Sequence, residues 1–252
     1  MAMPLGKLAP PGPVRGSGGI VPPVHRGLSG RMLTRARALA ALGLSALCLS
    51  AFAGQAAAHP HIFVDAGLVV LRDADGAVTE VEVTWRYDEL YSLILAEDLG
   101  LDPDYDLQLT EEEVAGVLGF DLNWSAGFTG GLTLQQAGEA LDLGPPEPVS
   151  LRMLETGQIE TTHRRPVSGA EPGPISAQIY DPSFYIAFEM ILPVEVADAP
   201  GCAVDLIRAD LDVAYAALET ALEEIGGAVA AEDNFPAVGA YFADRAEISC
   251  PA

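Results

Sequence analysis

The clearest hydrophobic pattern has a period of two. Val81, Val83, Trp85 and Tyr87 alternate with Glu80, Glu82, Thr84 and Arg86, and Val64, Ala66, Leu68 and Val70 form a matching apolar set upstream. Asp75-Gly76 between them is a two-residue hairpin signal. Centring the turn there opposes Val64 with Tyr87, Ala66 with Trp85, Leu68 with Val83 and Val70 with Val81, so one face is wholly apolar. A one-residue slip would mix the two faces, which fixes the register. A helix is expected over roughly 88–100, and residues 111–145 read as mostly helical with glycine interruptions. Val149, Leu151 and Met153 alternate, Thr156-Gly157 turns, and Ile159, Thr161 and His163 lie on the return strand. Ile175–Tyr180 and Phe184–Leu192 suggest a third strand pair around Asp181-Pro182, and Cys202–Ala209 a further strand. Leu211, Ala214, Tyr215, Leu218, Leu222 and Ile225 follow helical spacing and stop at Gly226-Gly227. A last strand is expected at Ala246–Cys250. The pattern predicts an α+β fold: a mainly antiparallel sheet of hairpins, a helical insertion and a late amphipathic helix.

Charge divides the chain in two. Residues 1–58 carry six basic residues and no acid, whereas the remaining 36 acids face seven arginines and no lysine, a formal −29. Residues 38–53 are an uncharged run behind Arg35 and Arg37, followed by Gly54-Gln55-Ala56-Ala57-Ala58, the layout of a cleaved secretory signal. Met32 would open a signal of ordinary length, so residues 1–31 read as an over-extended start; a retained anchor is the other reading. Residues 59–252 are thus expected to be a single exported, periplasmic domain. Its surface repels phosphates and anionic headgroups, so nucleic acid and membrane surfaces are poor partners, and cations remain. Cys202 and Cys250 are then an even pair with no zinc spacing, read as a disulfide or as two free thiols.

A cut after Ala58 exposes His59-Pro60-His61. A terminal histidine offers its amine and Nδ1 to one metal, and His61 adds a second imidazole, donors that suit Ni, Co, Zn and Cu. Pro60 has no N–H and excludes the square-planar mode that needs a deprotonated second amide. A frayed terminus, or a cut after Ala53, would leave no such ligand set. Asp88 lies across the hairpin from this end, as a carboxylate ligand or as the cap of the following helix. His163 reads as a solvated histidine on a polar strand end or as a third nitrogen ligand. No hydrolytic triad, phosphate-binding glycine loop or nucleophile elbow appears, so no catalytic residues are assigned.

The segment from Asp102 to Glu113 has the spacing of a twelve-residue calcium loop. Asp102, Asp104 and Asp106 fill positions 1, 3 and 5, Gln108 offers its carbonyl at 7, and Glu113 stands at 12. Leu107 replaces the glycine that the sharp turn favours. An acidic linker leading into an N-capped helix accounts for the same residues.

Together, HPHIFVDA at 59–66, TWRYDE at 84–89, the D-x-D-x-D…E loop at 102–113, YDPSFY at 180–185, and Gly201-Cys202 with Cys250 resemble an uncharacterised bacterial family, domain of unknown function number one thousand and seven. The resemblance spans the mature chain and implies an exported accessory protein associated with nickel/cobalt-type or zinc-type transport, with no established reaction. The residues lead to the expectation of a periplasmic metal-binding protein using His59, His61 and Asp88, and the resemblance implies that it is an accessory of a membrane metal transporter. The alternatives are a copper enzyme using a histidine brace, with His163 as third nitrogen, and a structural module stabilised by Ca at the acidic loop.

Overall fold

In the computed structural model, residues 60–124, 128–227 and 235–251 are described. The hairpin forms in the expected register. β1 (Ile62–Arg72) and β2 (Val78–Tyr87) pair antiparallel, with Val64 opposite Tyr87 and Leu68 opposite Val83, and a bulge falls at Leu71/Arg72 beside the turn. Gly100 ends the next helix, α1 (Glu89–Leu99), in the left-handed conformation at φ 68°.

The expected helical insertion is mostly not helical. Helix α2 covers only Glu111–Val117 and a 3-10 turn Phe120–Leu122; the chain then forms β3 (Leu132–Gln136), β4 (Glu139–Ala140) and β5 (Asp142–Leu143). Gly130 and Gly131 both take positive φ, which ends any helix. Leu132 and Leu134 then bury alternate positions, a strand period. The second hairpin is as expected, with β6 (Glu147–Met153) against β7 (Ile159–Ser168).

The third strand pair is not a hairpin. β8 (Ile175–Ile179) and β9 (Ile186–Glu189) lie in different sheets. The carboxylate of Asp181 accepts from the backbone N–H groups of Ser183, Tyr185 and Ile186. These bonds fold the connection into a turn that sends the chain across to β1. There β9 and β10 (Val194–Val196) pair parallel with the first and second halves of the strand. Gly67 permits the switch between them: a Cβ there would stand 2.8 Å from Cβ of Leu192.

β11 (Ala203–Ile207), α3 (Leu211–Glu224), the short α4 (Gly239–Phe242) and β12 (Arg245–Ser249) complete the chain. The first sheet runs β10-β1-β2-β7-β5, with β9 also on β1 and β6 also on β7; the second runs β11-β12-β8-β3-β4. One apolar cluster joins them, drawing Val64, Leu68 and Val83 from the first and Leu134, Ile179 and Ile248 from the second. The fold is α+β with mainly antiparallel sheets. Cys202 and Cys250 are disulfide-bonded beside the β11–β12 pair. No helix among the described residues is long and apolar enough to cross a membrane.

Candidate metal centre

His61 sits just before β1, its side chain exposed and its ring 4.7 Å from that of Tyr185. Its backbone N–H donates to the Tyr185 carbonyl at 2.9 Å, so the strand end is anchored by β9's approach. His59 lies outside the described residues, as do the signal segment and its cleavage site. Asp88 does what a capping aspartate does. Its Oδ1 accepts from the Tyr91 N–H at 2.9 Å, and its Oδ2 accepts from the Phe63 N–H at 3.0 Å. The carboxylate therefore stands near the histidine end of the hairpin, with both oxygens already tying α1 to β1.

The acidic loop brings carboxylates together. One oxygen each from Asp102, Asp104 and Asp106 lie within 4.8 Å of one another. Asp102 is buried, while Asp104 and Asp106 are exposed. The Asp102 carboxylate accepts from the N–H groups of Asp106 at 2.9 Å and Leu107 at 3.2 Å, which curls the loop around it. Leu107 takes φ 62°, the left-handed conformation that the missing glycine would adopt freely. Glu113 closes the loop from below. It accepts from the Asp102 N–H at 2.9 Å and the Thr110 N–H at 2.7 Å, completing the capping box of α2. The hydrogen bond from the Thr110 hydroxyl, and after it these backbone bonds, hold the Glu113 carboxyl below its ordinary range. The Gln108 side chain donates to Asp106 at 3.3 Å. Oxygen donors of this kind suit a hard divalent cation.

His163 is not solvated. It lies on β7 opposite Val83, on the core face, with about 1% of its surface exposed. Its ring stands edge-on to Trp85 at 4.8 Å and to Trp124 at 5.8 Å, and neither nitrogen has a hydrogen-bond partner. Burial, helped by the nearby Arg165 charge, lowers its pKa to about 4, so the imidazole is neutral. Val83 also opposes Leu68, seven residues along β1 from His61. At strand rise that is on the order of 23 Å, so the fold does not bring His163 and His61 into one centre.

Several buried polar groups escape a reading by motif. Arg165 points inward, donates to the carbonyls of Thr129, Gly144 and Leu143, and lies 5.2 Å from the Trp124 ring centre. Glu160 gathers Arg86 and Arg152, so Arg86 pairs with it and not with Asp65 across the hairpin. Asp121, at the 3-10 turn, accepts from the Tyr87 hydroxyl at 2.8 Å and the Thr161 hydroxyl at 2.6 Å. The signal for the β7 residues lay in parity: Ile159, Thr161, His163, Arg165 and Val167 alternate, and apolar residues stand at both ends.

No curated protein matches this chain. A family model described as "Protein of unknown function (DUF1007)" matches residues 44–250. The match covers both hairpins, the acidic loop and the disulfide, and the chain belongs to the DUF1007 family.

Proposed function

We propose that the protein is an exported, divalent-cation-binding accessory of a membrane transport system. The observation that carries this reading is the convergence of Asp102, Asp104 and Asp106 in a loop whose backbone N–H groups curl around the Asp102 carboxylate. A formal −29 beyond residue 58 raises the local concentration of cations around it. The terminal His59-Pro60-His61 is the second donor set, nitrogen-rich and suited to Ni, Co, Zn or Cu where the oxygen loop suits Ca. The Cys202–Cys250 disulfide accords with an oxidising compartment such as the periplasm. α1 exposes Leu90, Leu93 and Ile94, apolar side chains that a transporter partner would cover.

The histidine-brace enzyme loses support because His163, its third nitrogen, is sealed in the core. The calcium-stabilised module remains as a second reading, favoured by the Leu107 backbone, which already holds the conformation of the loop's glycine.

Calorimetric titration of the exported protein with Ca, Ni, Co, Zn and Cu tests both donor sets. Calcium binding is expected to disappear in Asp104→Asn/Asp106→Asn and to survive in His59→Ala/His61→Ala. Nickel, cobalt, zinc or copper binding is expected to behave in the opposite way. Absence of any divalent-cation heat in the unaltered protein would overturn the proposal.

A further inference from the structure

Beneath β1 and β2, where the 3-10 turn at 120–122 and Trp124 cross the sheet, lies a cavity of about 310 Å³. That is the lower end of the range of small-molecule sites. Its walls are aromatic: Trp85, Tyr87, Tyr91, Phe120, Trp124 and Phe188 contribute rings, with aliphatic side chains between them. Among the described residues, Asp121 is the one charged residue that lines it, and no lysine, arginine or histidine does. The Tyr87 and Thr161 hydroxyls both donate to Asp121 Oδ2, which leaves Oδ1 without a hydrogen bond among the described residues.

These features select an occupant. Aromatic faces carry negative charge density and attract cations, quaternary ammonium groups above all. A carboxylate with a spare oxygen adds a full counter-charge, and an anion would meet repulsion from Asp121. Arg165, against the Trp124 ring, is not among the described lining residues, and its guanidinium is engaged by the carbonyls of Thr129, Gly144 and Leu143. A purely hydrocarbon ligand would desolvate the Asp121 carboxylate and bring it no counter-charge. We propose that this cavity binds a small organic ammonium ion, seated among the rings and against Asp121. The site is separate from the acidic loop and from His59 and His61, so it stands or falls independently of the metal reading.

The chain contains two tryptophans, and both line the cavity, so intrinsic fluorescence reports on it directly. The experiment titrates the oxidised, exported protein with choline and, separately, with dimethylbutanol, its neutral isostere in which carbon replaces nitrogen. The expected result is a saturable change in tryptophan emission with choline, and binding at least tenfold weaker for the isostere. Asp121→Asn keeps acceptors for Tyr87 and Thr161 and is expected to weaken choline at least tenfold. Tyr91→Leu, at the half-buried rim, leaves that hydrogen-bond group intact and is expected to weaken it severalfold even if Asp121→Asn fails to fold. Equal binding of choline and the isostere would show an apolar cavity without cation selectivity and overturn the proposal. No saturable change with choline up to tens of millimolar would overturn it as well.

Discussion

His163 carries the largest conflict between residue type and position. A histidine on the core face, edge-on to two tryptophans and without a partner for either nitrogen, is tolerated only as the neutral ring. Its pKa falls to about 4 when folded, against about 6.5 in the unfolded chain. Between those values the unfolded state binds more protons, so this group's contribution to stability is complete above pH 6.5 and is lost as pH falls towards 4. The full span is worth roughly 3 kcal/mol. Denaturant unfolding at pH 5 and pH 7.5 checks this: His163→Leu is expected to narrow the stability difference between the two by about 2 kcal/mol. An unchanged difference would mean that His163 does not set the slope. Nothing in the local text Thr-His-Arg-Arg announces a buried ring. Only its parity with Ile159 and Val167 does, and that signal competes with three polar neighbours.

At the scale of elements, two capped turns bear the argument. Asp88 joins α1 to β1 through one carboxylate. Asp88→Ala is expected to cost about 1–2 kcal/mol in thermal or urea unfolding, more than a surface change, because two backbone N–H groups lose their acceptor. In the acidic loop, Leu107 holds a left-handed backbone that costs a side-chain-bearing residue about 1–2 kcal/mol. Leu107→Gly is expected to leave stability within about 1 kcal/mol or raise it, since relief of strain opposes the added chain entropy, and to tighten calcium binding. Weakened calcium binding in that variant would argue that the leucine side chain, and not its backbone, shapes the loop. The register of the first hairpin was legible in the sequence to the residue, including every cross-strand partner from Val64 to Val70. Residues 111–145 were not. Single apolar residues among glycines fit a broken helix as well as short strands, and the choice depends on β8, which Leu132 to Gln135 pair with from some forty residues away. The destinations of β8 and β9 were equally hidden, because Asp181-Pro182 looks like a hairpin turn locally while its hydrogen bonds send the chain to another sheet.

At the scale of the molecule, an acidic surface and a disulfide go with one shared core, and the proposed reading makes this a cation-binding protein of an oxidising compartment. The Cys202–Cys250 link closes a sequence separation of 48 residues and fastens the second sheet's edge pair. Its reduction is expected to lower unfolding stability by on the order of 3–4 kcal/mol, read by chemical denaturation with and without reductant. Of the candidate donors, the loop was legible because its spacing is local. The separation of His163 from His61 was not, because it depends on how three strands stack. The central claim, cation binding at the loop, meets its most direct test in the melting temperature of the oxidised protein in excess calcium against a chelator. Ligand present at about a hundred times its dissociation constant stabilises a fold by about 2.7 kcal/mol. The account predicts a rise of several degrees that vanishes in Asp104→Asn/Asp106→Asn; equal melting temperatures with calcium and with chelator would contradict it.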